Sequence, residues 1–363
     1  MDIMELIELA KSQNASDLHM SVNSPPLIRV DGALKILDIP PFNNTDMKTA
    51  LMTLSTLEKL EYYENELDLD FKYVMPDGTN LRCNAAQERG QISLSIRILP
   101  SKVPTIDQLQ LPSIFKKLAL LDRGLVVISG PTGSGKTTSQ AALIAHINAN
   151  QTRHILTFED PIEYSHPNIK SKITQRELGG DTHSFAQALK YALRHDPDVI
   201  VMGEMRDSET AALVISLAET GHLVITTSHA PYAPQAVERI IDLFPHAERA
   251  LVQMRLASLL SAVLCQTLVP RADGSGRIAA VEIMLVNSAI RNLIREGRLT
   301  LLSNALRDYG SAGSTTLDEA LAQLYSDGTI TMETVMKFCH DHEEIGRLIQ
   351  GTLPHHKTQT SRK

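Results

Sequence analysis

The chain has 363 residues, 43% hydrophobic and 21% charged, with 35 basic against 42 acidic side chains and a formal net charge of −7. This composition excludes a disordered or fibrous chain, and the length predicts two or three domains. The acidic balance speaks against a broad nucleic-acid surface, and the absence of Trp among only 4% aromatic residues speaks against base-stacking platforms.

Ile3, Leu6, Ile7 and Ala10 recur at helical spacing and predict a first helix that ends near residues 12–14. The opening MDIMELIELAKSQ lacks the basic start and unbroken apolar run of a signal peptide. A strand-rich segment follows, punctuated by turn signals at Asp31-Gly32 and Pro76-Asp77-Gly78. In QISLSIRIL, Ile92, Leu94, Ile96 and Ile98 alternate with Ser93, Ser95 and Arg97, so one face is buried. Burying Leu81, Cys83 and Ala85 against Ile98, Ile96 and Leu94 requires a four-residue loop at 88–91 and sets Arg82 directly opposite Arg97. Like charges so placed repel; either both lean into water or an anion sits between them.

Pro100, Pro104 and Pro112 bracket a linker, predicting an α+β domain over 1–99, a linker over 100–112 and a second domain over 113–363. From Gly124 the runs LVVIS, HILTF, VIVMG and LVITT alternate with helical segments, as buried parallel strands of an α/β sheet do. The carboxyl-terminal third reads as helical. Thr316 to Glu319 is a capping box, Leu317, Ala320, Leu321 and Leu324 form its buried stripe, and the tail beyond Pro354 reads as frayed. The uncharged stretch 256–270 falls short of the ~20 residues that span a bilayer. Cys83, Cys265 and Cys339 are scattered and odd in number, so no disulfide partner is expected and a reducing cytoplasm fits.

The sequence carries its chemistry directly after LVVIS. Gly130-Pro131-Thr132-Gly133-Ser134-Gly135-Lys136-Thr137, followed by Thr138, matches the P-loop pattern in its strand-loop-helix context. Its glycines let backbone N–H groups turn toward phosphates at a helix N-terminus, Lys136 reaches the β- and γ-oxygens, and the Thr137 hydroxyl holds Mg²⁺. Hydrolysis also needs a group for water and positive charge for the transferring phosphoryl group. Ligands of open α/β sheets lie beyond the carboxyl ends of the strands, where this chain has Glu159, Asp160 and Glu163, then Glu204, then His229. Glu204 follows a Walker-B-like strand in which Gly203 stands where many P-loop enzymes place a magnesium-binding Asp, and it is the expected general base. His222 and His229, seven residues apart, are separated by roughly 23 Å along an extended strand and cannot share a metal. His229 is expected to sense the γ-phosphate, and His222 to serve a subunit contact or the structure.

Together these motifs resemble the PilT family, the retraction motors of type IV pili within the secretion ATPase superfamily. The resemblance runs through ASDLHM at 15–20, PPLIRVDG at 25–32, the P-loop, TFEDPIEY at 157–164, DPDVIVMGEMRD at 196–207 and TGHLVITTSHA at 220–230. Ala289-Ile290-Arg291-Asn292-Leu293-Ile294-Arg295-Glu296 looks like the AIRNLIRE motif of retraction ATPases; by itself it is an amphipathic helix with Ile290, Leu293 and Ile294 inward, and only the resemblance makes the exposed Arg291, Asn292, Arg295 and Glu296 an interaction face. The four-cysteine zinc site of extension relatives is absent from the sequence.

The resemblance implies a PAS-like amino-terminal domain, a RecA-like ATPase domain and a cytoplasmic homohexamer that binds ATP between them and works on a platform protein of the inner membrane. It turns Arg82 and Arg97 into an anion clamp over the phosphates and gives Arg194 a basic role at the site. Lys190 stands where an arginine is common, the His box reads ITTSHA, and GGDT occupies 179–182; a Lys for Arg keeps charge and loses bidentate geometry. Rival expectations are a nucleotide-binding scaffold subunit, an extension ATPase and a DNA translocase.

Overall fold

The computed structural model describes residues 2–30, 32–99, 102–308 and 313–352, so the expectation for the tail beyond Pro354 lies outside the described residues. The chain divides into two compact units, residues 1–102 with 163–165, and residues 103–162 with 166–363.

The first unit is α+β. Asp2 accepts from the Glu5 N–H while Glu5 accepts from the Asp2 N–H, and this box starts the helix Ile3–Ser12. Its stripe of Ile3, Leu6, Ile7 and Ala10 is buried as the spacing predicts. Strands β1 (Asp17–Ser21), β2 (Leu27–Val30), β3 (Ala33–Ile36), β4 (Asp68–Val74), β5 (Asn80–Glu88) and β6 (Gln91–Ile98) form an antiparallel sheet in the order β3-β2-β1-β6-β5-β4. Two helices absent from the sequence reading lie between β3 and β4. Asn43 caps Asn44–Leu54, which buries Met47, Ala50, Leu51 and Leu54, and Thr56 caps Leu57–Glu66.

The hairpin register is the predicted one, with Leu81 opposite Ile98, Cys83 opposite Ile96 and Arg82 opposite Arg97. The loop is shorter than expected. Pairing continues to Glu88 opposite Gln91, leaving only Arg89 (φ +52°) and Gly90 (φ +77°) at the turn. A two-residue hairpin turn with both residues left-handed follows the right-handed twist of its strands, which a longer loop is not needed to satisfy.

The second unit is the α/β domain. Strands β7 (Gly124–Ser129), β8 (His154–Glu159), β9 (Lys172–Glu177), β10 (Val199–Met202), β11 (Leu223–Thr227), β12 (Leu260–Pro270) and β13 (Arg277–Leu285) run in the order β13-β12-β7-β11-β10-β8-β9. All neighbours are parallel except β12 and β13. Every residue of β7, β10 and β11 is buried, because helices cover both faces of such a sheet.

The antiparallel hairpin β12–β13 corrects the expectation of a wholly helical carboxyl-terminal third. An apolar run buried on both faces has no period that separates strand from helix. The Thr316–Glu319 box is formed. In the helix Leu317–Ser326 that it starts, Leu317, Leu321 and Ala322 are buried, whereas Ala320 and Leu324 are only partly so. Asp318 is buried as well because its carboxylate accepts from the N–H groups of His340 (2.7 Å) and Asp341 (2.9 Å).

Candidate active site at the P-loop

The loop leaves β7 at Gly130 and enters the helix Lys136–Asn150 at Lys136. A Cβ on Gly130 would lie 2.3 Å from the Gln266 carbonyl oxygen and 2.7 Å from Ser134 Oγ, and φ is +139°. Only glycine permits the loop to lie this close against β12. The helix has no side-chain cap, so its first N–H groups remain for an anion, and its dipole favours one. Ser134 Oγ is buried without a hydrogen-bond partner, and the Thr137 hydroxyl makes no hydrogen bond among the described residues. Unsatisfied polar groups in a glycine-lined loop suit phosphate oxygens and a hydrated cation.

Lys136 is 9% exposed. Its Nζ donates to the carbonyl oxygens of Gly130 (2.7 Å) and Pro131 (3.0 Å), which holds the ammonium at the loop. Burial lowers its pKa, opposed by the negative charge of Glu204. Two buried glutamines anchor the following turn. Gln266 Nε2 donates to Ser139 Oγ (2.8 Å), and Gln140 Nε2 donates to the carbonyl oxygen of Met202 (3.1 Å), two residues before Glu204.

Parallel strands deliver their carboxyl ends to one edge, and β11 lies between β7 and β10. Glu204, just beyond β10, therefore meets His229, just beyond β11. His229 Nε2 lies 2.8 Å from Glu204 Oε2, and the Arg206 guanidinium pairs with Oε1. Arg206 also stands 3.7 Å from Asp160. Burial alone would raise the Glu204 pKa, but the hydrogen bonds and charges of Arg206 and His229 outweigh it and leave the carboxyl below its ordinary value. An ionised carboxylate only accepts, so the His229 proton at this contact sits on Nε2.

Arg206 was not singled out from the sequence. Its signal is spacing: two residues after Glu204, it can fold back on the same carboxylate. In Arg206→Ala the Glu204 pKa should rise, and because a base must be ionised to act, the acid limb of turnover moves to higher pH. An acid limb identical to that of the wild type in a pH–rate profile would separate Glu204 from that titration.

The remaining expected site residues lie on other elements. Arg82 and Arg97 belong to the first unit, as does Glu163. Arg194 lies in the turn 193–195 before β10, at the opposite end of that strand from Glu204, with its guanidinium 4.9 Å from the Tyr191 ring centre. His222, at the start of β11, has Nδ1 3.0 Å from both the Leu217 carbonyl oxygen and Thr220 Oγ1, a contact local to its helix end. Lys190 pairs with Glu209 at 2.8 Å.

In the helix Ser288–Arg295, Ile290 and Ile294 are buried and Leu293 partly so. Arg291 does not join the exposed face as expected: it is partly buried and donates through Nε to the Ala257 carbonyl oxygen at 3.0 Å. Asn292, Arg295 and Glu296 are exposed.

A glycine loop heading a helix, with a paired glutamate and histidine at neighbouring strand ends, defines a P-loop ATPase. Residues 1–337 match the family model described as type II/IV secretion system protein. The chain is 41% identical over 333 residues to the type IV pilus retraction ATPase PilT of Pseudomonas aeruginosa, covering 92% of this chain and 96% of that one. It is 39% identical to a twitching motility protein of Neisseria gonorrhoeae, covering 94% and 92%. A crystal structure of the pilus retraction motor PilT with bound ADP superposes with a TM-score of 0.89 at 38% identity, covering 96% of this chain and 99% of that one. The chain belongs to the type II/IV secretion system protein family. Among the described residues no helix is long and apolar enough to cross a membrane.

Proposed function

We propose that this protein is the ATPase that powers type IV pilus retraction. The observation that carries the chemistry is the Glu204–His229 pair held at the same sheet edge as the P-loop. The P-loop N–H groups and Lys136 bind the phosphates of ATP. Thr137 would hold Mg²⁺, which when bound neutralises phosphate charge. Glu204, ionised and fixed through both oxygens, orients the attacking water, and His229 couples the carboxylate to the end of β11. The water oxygen bonds to the γ-phosphorus as the bond to the β–γ bridging oxygen breaks, releasing ADP and phosphate.

Arg82 and Arg97 act as the clamp on developing phosphoryl charge, and Glu163 serves as a second carboxylate of the site. Arg194, placed at the far end of β10, reaches phosphate only from another copy of the chain, which accords with a homohexamer. The helix Ser288–Arg295, with Asn292, Arg295 and Glu296 outward, is the face for coupling to the pilus machine. That machine places this cytoplasmic protein against a platform protein of the inner membrane. Full-length similarity to proteins named for retraction and twitching supports retraction over extension.

Deletion of the gene in its own host is expected to leave cells with normal or excess surface pili and no twitching, restored by the wild-type gene. Bald cells, counted by electron microscopy, would instead assign the protein to assembly.

A further inference from the structure

On the polar face of the first sheet, which also carries Asp68, Asp70 and Glu88, one row across the strands sets one acid among bases. Read across five strands, the directly opposed residues are Lys72, Arg82, Arg97, Asp17 and Arg29. Cations opposed in this way repel one another, so the row persists only if something organises it. Asp17 is 8% exposed. Its Oδ1 accepts from Arg97 Nε at 2.8 Å, its Oδ2 accepts from Ser16 Oγ at 2.8 Å, and Arg29 Nε stands 4.0 Å away. Burial pushes the Asp17 pKa up, but the hydrogen bonds from Arg97 and Ser16 and the Arg97 charge outweigh it and leave the carboxyl below its ordinary value.

The grip on Arg97 is one-sided. Asp17 takes Nε, while the two terminal nitrogens make no hydrogen bond among the described residues and the side chain is 60% exposed. A guanidinium held at Nε has its fork fixed in direction and left available for a second, bidentate anion. Arg82, next in the row, is exposed and has no hydrogen bond or ion pair among the described residues. One carboxylate beside Arg97 and Arg29, with Arg82 next in the row, does not cancel three guanidinium charges, so the acid aims the clamp without neutralising it.

We infer that Asp17 is the positioning residue of the Arg82–Arg97 clamp, fixing Arg97 through Nε so that its fork and Arg82 face one phosphate group. The inference rests on the clamp reading above and is tested apart from it. ATP turnover is measured on full-length Asp17→Ala, Asp17→Asn, Arg97→Ala, Arg97→Lys and the Asp17→Ala/Arg97→Ala double variant.

Arg97→Ala is expected to lose about 100-fold in kcat and Asp17→Ala about 10-fold, with the double variant no slower than Arg97→Ala. Asp17→Asn, which keeps an oxygen that can accept from Nε, should retain most of the turnover. A purely electrostatic role would make Asn and Ala alike. Arg97→Lys keeps the charge but not the fork and should lose about 10-fold. Wild-type turnover in Arg97→Ala overturns the clamp itself. A slow Arg97→Ala beside a wild-type Asp17→Ala, or additive losses in the double variant, overturns only the role of Asp17. Should Asp17→Ala not fold, wild-type turnover in Arg97→Lys overturns the positioning role.

Discussion

Glu204→Gln should bind ATP as the wild type does and lose phosphate release by about 10²–10³-fold, the usual consequence of removing one fixed group from a phosphoryl or acyl transfer site. The P-loop does not use Glu204 for affinity: Lys136 is satisfied by the carbonyl oxygens of Gly130 and Pro131. The glutamine keeps volume and one acceptor oxygen, so either Arg206 or His229 retains its partner. What disappears is the ionised carboxylate. Binding of a fluorescent ATP analogue and steady-state phosphate release, measured on one preparation, separate the two effects. Full turnover would remove Glu204 from the catalytic role, and lost binding would place it in the nucleotide pocket instead.

Gly130→Ala is expected to fail at the opposite step. The added methyl would sit 2.3 Å from the Gln266 carbonyl oxygen, a backbone atom of a strand paired on both sides that cannot swing away, in a backbone conformation L-residues rarely adopt. The loop must leave β12, and with it the alignment of the N–H groups on the phosphates. Nucleotide affinity should fall by at least 100-fold, read as loss of the ATP-dependent rise in melting temperature. An ATP-induced shift equal to that of the wild type would show that the loop tolerates displacement from Gln266.

The P-loop was legible because its chemistry is contiguous: eight residues carry the turn, the cation and the Thr137 hydroxyl together. Glu204 and His229 were legible by a longer argument, since parallel strands bring their carboxyl ends to one edge wherever those ends lie in sequence. Their mutual contact was not, because it depends on β10 and β11 being adjacent, and strand order is a tertiary outcome. The same limit hid Asp17: facing Arg82 and Arg97 follow from one hairpin, but adding Asp17 and Arg29 requires the register of two further strand pairs. The helix Asn44–Leu54 passed unnoticed because its apolar positions are set among threonines, with a weak amphipathic pattern. Strands β12 and β13 were lost to the ambiguity of long apolar runs.

The two glutamines beside the P-loop bear on how such a domain delivers force. Gln266 and Gln140 tie the helix Lys136–Asn150 to β12 and to β10, which flank the pair β7 and β11 on either side. Both ties fall on the adjacent residues Ser139 and Gln140, so the helix is pinned at its phosphate end across the width of a buried sheet packed at crystal-like density. Displacement at the nucleotide end therefore reaches two strands that are not neighbours, β12 and β10, at once.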